Sequence, residues 1–259
     1  MKKNWKIWEN EKEYGNVFYE RAVGEIPEME SSKAIAKIVN TFIKKNDLIM
    51  DVGCGGAHYV VSLDKALRVP FRYLGIDSTK YYIDMANKAL RGRLKNNPKR
   101  LYTAFRVGDI FNIPAEDGFA DIVMCANVLL HLPSIEKPLR ELVRVAKKYV
   151  IVRTLIGNTS FRIRQVNQPE IYDKNGEPAN FHFFNIYSKV YISDILDSTE
   201  GVKSYKFFLD NDFNPAHIGH SNYTNTDRIT PHDLTTIING MQVNNYIIEP
   251  WQFLIIEKQ

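Results

Sequence analysis

The stretch Ile49-Met50-Asp51-Val52-Gly53-Cys54-Gly55-Gly56-Ala57-His58 limits what this chain can fold into more than any other. A short apolar run ends on an acid, a glycine-dense turn follows, and helix-patterned sequence comes next. This succession is the strand–turn–helix opening of a nucleotide-binding α/β unit. Its glycines let the backbone bend sharply and approach a ligand where a side chain would collide. A Gly-x-Gly by itself marks a ligand-free tight turn equally well, so its meaning depends on the rest of the chain.

The same grammar repeats downstream. Ala34, Ile35, Ile38, Val39, Phe42 and Ile43 recur at helix period over residues 29–45, and residues 47–51 read as the first strand. A helix over 58–67 follows the glycine turn. Residues 71–77 form a second strand that again ends on an acid, and 81–94 are helical until Asn96-Asn97-Pro98. Residues 101–107 form a third strand, followed by Gly108-Asp109-Ile110. Residues 120–126 are nearly all apolar, as in a strand covered on both faces. Ser134 reads as the N-cap of a helix to 147, with Pro138 tolerated in its first turn, and 149–155 form a fifth strand. Strands alternating with helices imply a parallel sheet with right-handed crossovers, whose ligands bind beyond the carboxyl ends of the strands. The glycine turn, Asp77, Asp109 and Asn127 all fall there.

Beyond Gly157 the pattern changes. Residues 158–185 are polar, 187–196 are helix-like, and 202–209 and 245–257 read as two strands pairing antiparallel at the sheet edge. Between these lies a long connection, 210–244, carrying His217, His220 and His232; connections of this length are functional or disordered. At the other end, Trp5, Trp8, Tyr14, Phe18, Tyr19 and Arg21 precede the main domain as one or two short helices. These either pack on its surface or form a lid with Tyr14, Tyr19 and Arg21 facing a ligand. The domain division is thus 1–28 as an N-terminal helical lid and 29–259 as a single domain.

The chain's 259 residues, 44 % hydrophobic and 25 % charged, suit one large α/β domain with elaborations. Its net charge of +4 comes from Lys and Arg interleaved with Asp and Glu, which is not a nucleic-acid footprint. The two cysteines, Cys54 and Cys125, lack metal-ligand spacing and read as free thiols of a reducing compartment. No signal-peptide pattern and no apolar run of membrane-spanning length occurs. A soluble cytoplasmic protein without a membrane partner is expected.

The motifs narrow the ligand. A dinucleotide fingerprint would place its third glycine at position 58, where the chain has His58. Neither Tyr-x-x-x-Lys nor Gly-Lys-[Ser/Thr] is present, so the turn points to a ligand without a pyrophosphate. Asp77 lies 24 residues beyond Gly53, where the ribose-binding acid of a nucleotide fold belongs. Asp109 is placed to accept from an adenine amino group, with Ile110 and Ser78 against the ring. Either acid alone is equally a helix N-cap; turn, acid and acid at successive strand ends are harder to read that way.

Taken together, Asp51-Val52-Gly53-Cys54-Gly55-Gly56-Ala57, Leu74-Gly75-Ile76-Asp77, Gly108-Asp109-Ile110 and the run from Ala120 through Asn127 to His131-Leu132 resemble the class I S-adenosylmethionine-dependent methyltransferases. The resemblance covers about residues 30–155. It implies a Rossmann-like, doubly wound sheet of seven mostly parallel strands in the order 3-2-1-4-5-7-6, the last antiparallel. It also implies S-adenosyl-L-methionine as cofactor. Asp51, Gly53, Cys54, Gly55 and Ala57 would seat its methionine end, Asp77 the ribose, and Asp109, Ile110 and Ser78 the adenine. Asn127 would lie beside the methionyl group, with Tyr14, Tyr19 and Arg21 closing over it and Arg21 on the cofactor carboxylate. Ala57 replaces a glycine found in many members; being small, it is expected to cost little.

The reaction so implied is in-line methyl transfer, in which the protein aligns two centres and excludes water. A base is needed only for a protic acceptor; His131 and His182 are the candidates, and for His131 a structural role is the favoured reading. Fourth-strand Asn127 is neutral where magnesium-dependent relatives carry an acid, so no metal is expected. Asn127-Val128-Leu129-Leu130 is not the Asn-Pro-Pro-Tyr of nucleic-acid amino-methyltransferases, which favours a small-molecule acceptor. Residues 158–185 and 211–244 would form the acceptor side, with Phe181, His182 and Phe184 as its wall. A non-catalytic cofactor-binding module is the main alternative, and a nicotinamide oxidoreductase a more distant one.

Overall fold

The computed structural model describes residues 6, 8, 12–90, 99–212, 236–238, 241–243 and 251–259. Its centre is a sheet of β1 (Leu48–Val52), β2 (Phe71–Asp77), β3 (Arg100–Val107), β4 (Ala120–Ala126), β5 (Ala146–Gly157), β9 (Val202–Leu209) and β12 (Trp251–Lys258). The strand order is β3-β2-β1-β4-β5-β12-β9. The first five run parallel, and β12 is antiparallel to both β5 and β9. With β9 and β12 counted as sixth and seventh, this is the order 3-2-1-4-5-7-6 expected from the sequence. A short eighth strand, β8 (Tyr187–Ser188), adds to the end of β5.

The period of two in each strand divides the core. Ile49, Tyr73, Ile122, Ile151 and Phe253 face one layer, where they meet α2 (Glu30–Phe42), α3 (Tyr59–Ala66) and α4 (Lys80–Leu90) through Ile35, Val39, Leu63 and Leu90. Met50, Leu74, Val123, Val152 and Leu254 face the other, against Leu139 and Leu142 of α5 (Glu136–Val145) and Ile192 of α6 (Lys189–Asp197). Each such aliphatic side chain contributes about 1.5–3 kcal/mol by leaving water. The two-sided burial explains why residues 120–126 read as a nearly all-apolar run.

Some boundaries differ from the sequence reading. Ser134 caps nothing: α5 starts at Glu136, and its N-cap, Ile135, makes no side-chain cap bond. The helix stops at Val145 because Ala146 already pairs with Ala120 in the β4–β5 ladder. Ser188 caps α6 instead, its Oγ accepting from Tyr191 N at 3.1 Å. The polar stretch 158–185 contains an antiparallel hairpin, β6 (Arg164–Val166) with β7 (Phe181–Phe183), anchored by the Phe161–Ile186 bridge. Within the long connection, β10 (Thr236–Ile238) pairs with β11 (Met241–Val243). Residues 91–98, 213–235 and 244–250, and with them His217, His220 and His232, lie outside the described residues. Among the described residues no helix is long and apolar enough to cross a membrane.

Candidate functional site

Four strand ends meet at one pocket. Gly53 and Gly55 line it after β1, Asp77, Ser78 and Thr79 after β2, Gly108, Asp109 and Ile110 after β3, and Asn127, Val128 and His131 after β4. His58 and Tyr59 from the start of α3, Tyr82 of α4, and Lys6 and Trp8 add to its wall. So does Phe18, carried by the N-terminal helix α1 (Lys12–Val23).

The glycine turn is tied to the second strand by Gly53 N and Cys54 N, which both donate to Ile76 O at 2.7 and 3.1 Å. Gly53 has φ +82°, and a Cβ there would stand 2.3 Å from Val128 Cγ2. Gly56 is required for a different reason: its Cβ would lie 3.2 Å from main-chain atoms of Phe18 and Tyr19. The turn is therefore bare on two sides, toward the pocket and toward α1. Ala57 has φ +65° and is fully buried. Its small size does not help there, because the left-handed backbone itself costs an L-residue roughly 1–2 kcal/mol.

Asp77 accepts from Gly55 N (2.9 Å) at Oδ2 and from Thr79 N (2.8 Å) at Oδ1. Burial raises its carboxyl above the usual range, against the pull of those two N–H groups. Asp109 Oδ1 accepts from Phe111 N at 2.9 Å, and its Oδ2 lies 3.5 Å from Lys6 Nζ. Asn127 has φ +60° and its Oδ1 accepts from Arg153 Nη1 at 2.6 Å. His131 sits in a 3₁₀ turn, Leu129–His131, with Nδ1 3.0 Å from Phe183 O. A carbonyl only accepts, so Nδ1 carries the proton and Nε2 the lone pair. Burial lowers its pKa to about 4, so the ring is neutral at neutral pH.

Residues 50–152 match the family model described as a methyltransferase domain. Over these residues the chain is similar to the class I S-adenosylmethionine-dependent methyltransferases. An uncharacterized methyltransferase of Schizosaccharomyces pombe is 34 % identical over 107 residues, 41 % of this chain and 38 % of that protein. A demethylmenaquinone methyltransferase of Lactobacillus johnsonii is 29 % identical over 105 residues, 40 % of this chain and 41 % of its own. The match thus spans about two fifths of the length of these curated relatives. Among solved structures, a methyltransferase of Methanosarcina mazei superposes with a TM-score of 0.54 at 15 % identity, over 85 % of this chain and 96 % of its own. That likeness is one of fold.

S-adenosylmethionine is the cofactor of this family, and the pocket has the chemistry for it. A carboxylate has about four acceptor sites; Asp77 uses two on backbone N–H groups and one on the Thr79 side chain, leaving one for a hydroxyl donor in the pocket. Ile110 adds an apolar surface and Asp109 an acceptor to the same pocket. His58 is buried, and neither of its ring nitrogens has a hydrogen-bond partner among the described residues. Burial, helped by the charge of Arg21, lowers its pKa to about 3.

Other sequence-derived candidates lie elsewhere. Asp51, Cys54 and Ala57 are buried behind the turn and do not line the pocket. Asp51 accepts from Tyr73 Oη at 2.6 Å. Arg21 donates to Pro27 O at 3.0 Å, and Tyr19 lies under Lys88 Nζ, 5.0 Å from its ring centre; neither lines the pocket. The side chain of Tyr14 lies outside the described residues. His182 bonds Asn167 Oδ1 within the hairpin, and Phe181 is buried against Phe183; both are clear of the pocket. Phe184 is nearer, its ring 5.9 Å from that of His131, while Trp8 meets His131 edge-on at 4.7 Å. The sequence reading passed over Trp8 and Phe18 as ligand-facing groups, although both belong to the aromatic N-terminal segment it singled out. It also passed over Arg153, whose signal was a lone cation in the apolar run Val150-Ile151-Val152-Arg153-Thr154-Leu155.

Proposed function

We propose that the protein transfers the methyl group of S-adenosylmethionine to a small-molecule acceptor, in line and without a metal, with His131 as the base for a protic acceptor. The observation that carries this reading is the convergence of the glycine turn, Asp77, Asp109 and His131 on one pocket. The bound cofactor supplies an activated methyl on a sulfonium that departs as a neutral thioether. The chain's task is to align the acceptor, exclude water and receive a proton. His131 Nε2 carries the lone pair that takes the acceptor's proton, and Phe183 O holds the ring in that tautomer.

A small acceptor is supported by the enclosure of the pocket by Trp8, Phe18 and Phe111, and by the demethylmenaquinone methyltransferase among the relatives. In this reading the lid of residues 1–28 covers a single domain, 29–259, in which 158–185 face the acceptor; most of 211–244 lies outside the described residues. Lys6, Trp8 and the Phe183 carbonyl support that division. The buried unpaired thiols Cys54 and Cys125 fit a cytoplasmic setting.

Titration calorimetry with S-adenosylmethionine, S-adenosylhomocysteine and NAD tests the cofactor. Binding of the sulfur nucleotides without NAD is expected, and failure to bind either one refutes the reading. A methyl-transfer screen over phenols, amines and carboxylic acids then tests the acceptor class.

A further inference from the structure

We propose that Arg153 and Asp210 are positioning residues that turn the Asn127 amide into a hydrogen-bond donor for the carboxylate at the amino-acid end of the cofactor. The inference rests on the S-adenosylmethionine reading of the pocket and adds two residues outside every motif of the sequence.

Arg153 is 2 % exposed in the middle of β5. Its Nε donates to Asp210 Oδ2 at 2.7 Å, and its guanidinium lies 4.2 Å from the centre of the Trp251 ring. Nη1 donates to Asn127 Oδ1 at 2.6 Å. A guanidinium has only donors, so the atom of Asn127 that faces it is the carbonyl oxygen, and chemistry fixes the orientation of the amide. The NH2 group is left on the other side, 3.4 Å from Tyr59 Oη, which pairs with Ser31 Oγ at 3.0 Å. The backbone agrees: Asn127 N donates to Arg153 O at 2.9 Å while φ is +60°, a conformation asparagine tolerates better than most residues.

With its oxygen committed, Asn127 offers the pocket only N–H. Beyond the adenosine, the cofactor carries a sulfonium, an ammonium and a carboxylate, and of these only the carboxylate accepts. The pocket then divides by polarity. Asp77 and Asp109 supply acceptors for hydroxyl and amino hydrogens at the adenosine end, and Asn127, beside Tyr59 and His58, meets the anionic end. Arg153 and Asp210 together carry no net charge to repel the neighbouring ammonium. A buried ion pair contributes little net stability once desolvation is counted, so orientation of the amide is the stronger account of its presence.

The test is calorimetry with S-adenosylhomocysteine and with its analogue lacking the carboxylate, 5′-deoxy-5′-(3-aminopropylthio)adenosine. Asn127→Asp keeps an acceptor for Arg153 but replaces the NH2 by oxygen. It is expected to weaken S-adenosylhomocysteine binding about 10- to 100-fold, the loss of one charge-assisted hydrogen bond, while the analogue binds within about threefold of wild type. The double variant Arg153→Met/Asp210→Leu removes the pair without stranding a charge, and should show the same selective loss. In an Asn127→Leu background it should add none. Equal effects on both ligands in folded Asn127→Asp, or no effect on either, overturn the proposal. So do additive losses in the cycle. Should the double variant not fold, Asn127→Asp decides. Wild-type protein that binds neither ligand overturns the cofactor reading itself, and this proposal with it.

Discussion

Replacing Asp51 by asparagine should stabilise the fold, and by more at neutral than at acidic pH. Asp51 is 2 % exposed in β1 and accepts from Tyr73 Oη at 2.6 Å. Burial, with the nearby charge of Asp77, raises its carboxyl from 3.8 to about 7 against the pull of that hydroxyl. A folded-state value above the unfolded one means that the folded chain holds the proton longer. Its contribution is complete below about pH 4, declines as pH rises, and levels off above about pH 7. At 1.36 kcal/mol per unit, the whole decline is about 4 kcal/mol, of which about 3 falls between pH 4.5 and 7.5. Asparagine keeps an acceptor for Tyr73 and does not titrate. The stability difference between variant and wild type should therefore grow by about 3 kcal/mol across that interval. Urea unfolding followed by tryptophan fluorescence at both pH values measures it, and titrations not coupled to Asp51 cancel in the difference. A difference equal at the two values within about 0.5 kcal/mol would show that Asp51 ionises as an exposed carboxyl does, and would refute the argument.

Three further outcomes are expected. Asp77→Ala should weaken S-adenosylhomocysteine binding by about 10- to 100-fold and lower the melting temperature by a few degrees, since Gly55 N and Thr79 N lose their acceptor; unchanged affinity removes the ribose assignment. Gly56→Ala should push α1 off the turn, costing about 1–3 kcal/mol and speeding proteolysis within residues 12–23; wild-type melting and cleavage would show that the close approach at Phe18 is slack. For a hydroxyl acceptor, His131→Asn should lower kcat by about 10²–10⁴ while S-adenosylhomocysteine affinity stays within about threefold. With its pKa near 4, this ring should leave no titration in the wild-type kcat profile between about pH 5.5 and 8; a step near pH 6.5 that vanishes in the variant contradicts that.

The sheet was legible because β1, β2 and β4 are mostly apolar and end at a glycine turn, an acid or an asparagine, a pattern local in the sequence. The α5–β5 boundary was not: Val145 and Ala146 suit either element, and only the Ala120 partner decides. Asp77, Asp109 and the glycine turn were legible because they sit at fixed offsets from strand ends. Arg21 was placed on a cofactor carboxylate from its lid position alone, whereas helix geometry sends it to Pro27 O. His182 drew attention from its aromatic neighbours, but a two-stranded hairpin turns it toward Asn167. The Arg153–Asp210 pair joins residues 57 apart in sequence, and no local periodicity reports such a contact.

The place of β12 bears on how the chain is made. Because it lies between β5 and β9, the ribosome has to deliver Trp251 before Phe207 and Phe208 gain their sheet neighbours, Leu254 and Phe253. Translation at about 5–20 residues per second leaves that edge open for seconds after β9 emerges. The same late strand carries the ring over Arg153. A nascent chain therefore has its glycine turn and Asp77 well before the Asn127 corner is set, and stalling or truncation ahead of Trp251 would leave Arg153 without the ring that covers it.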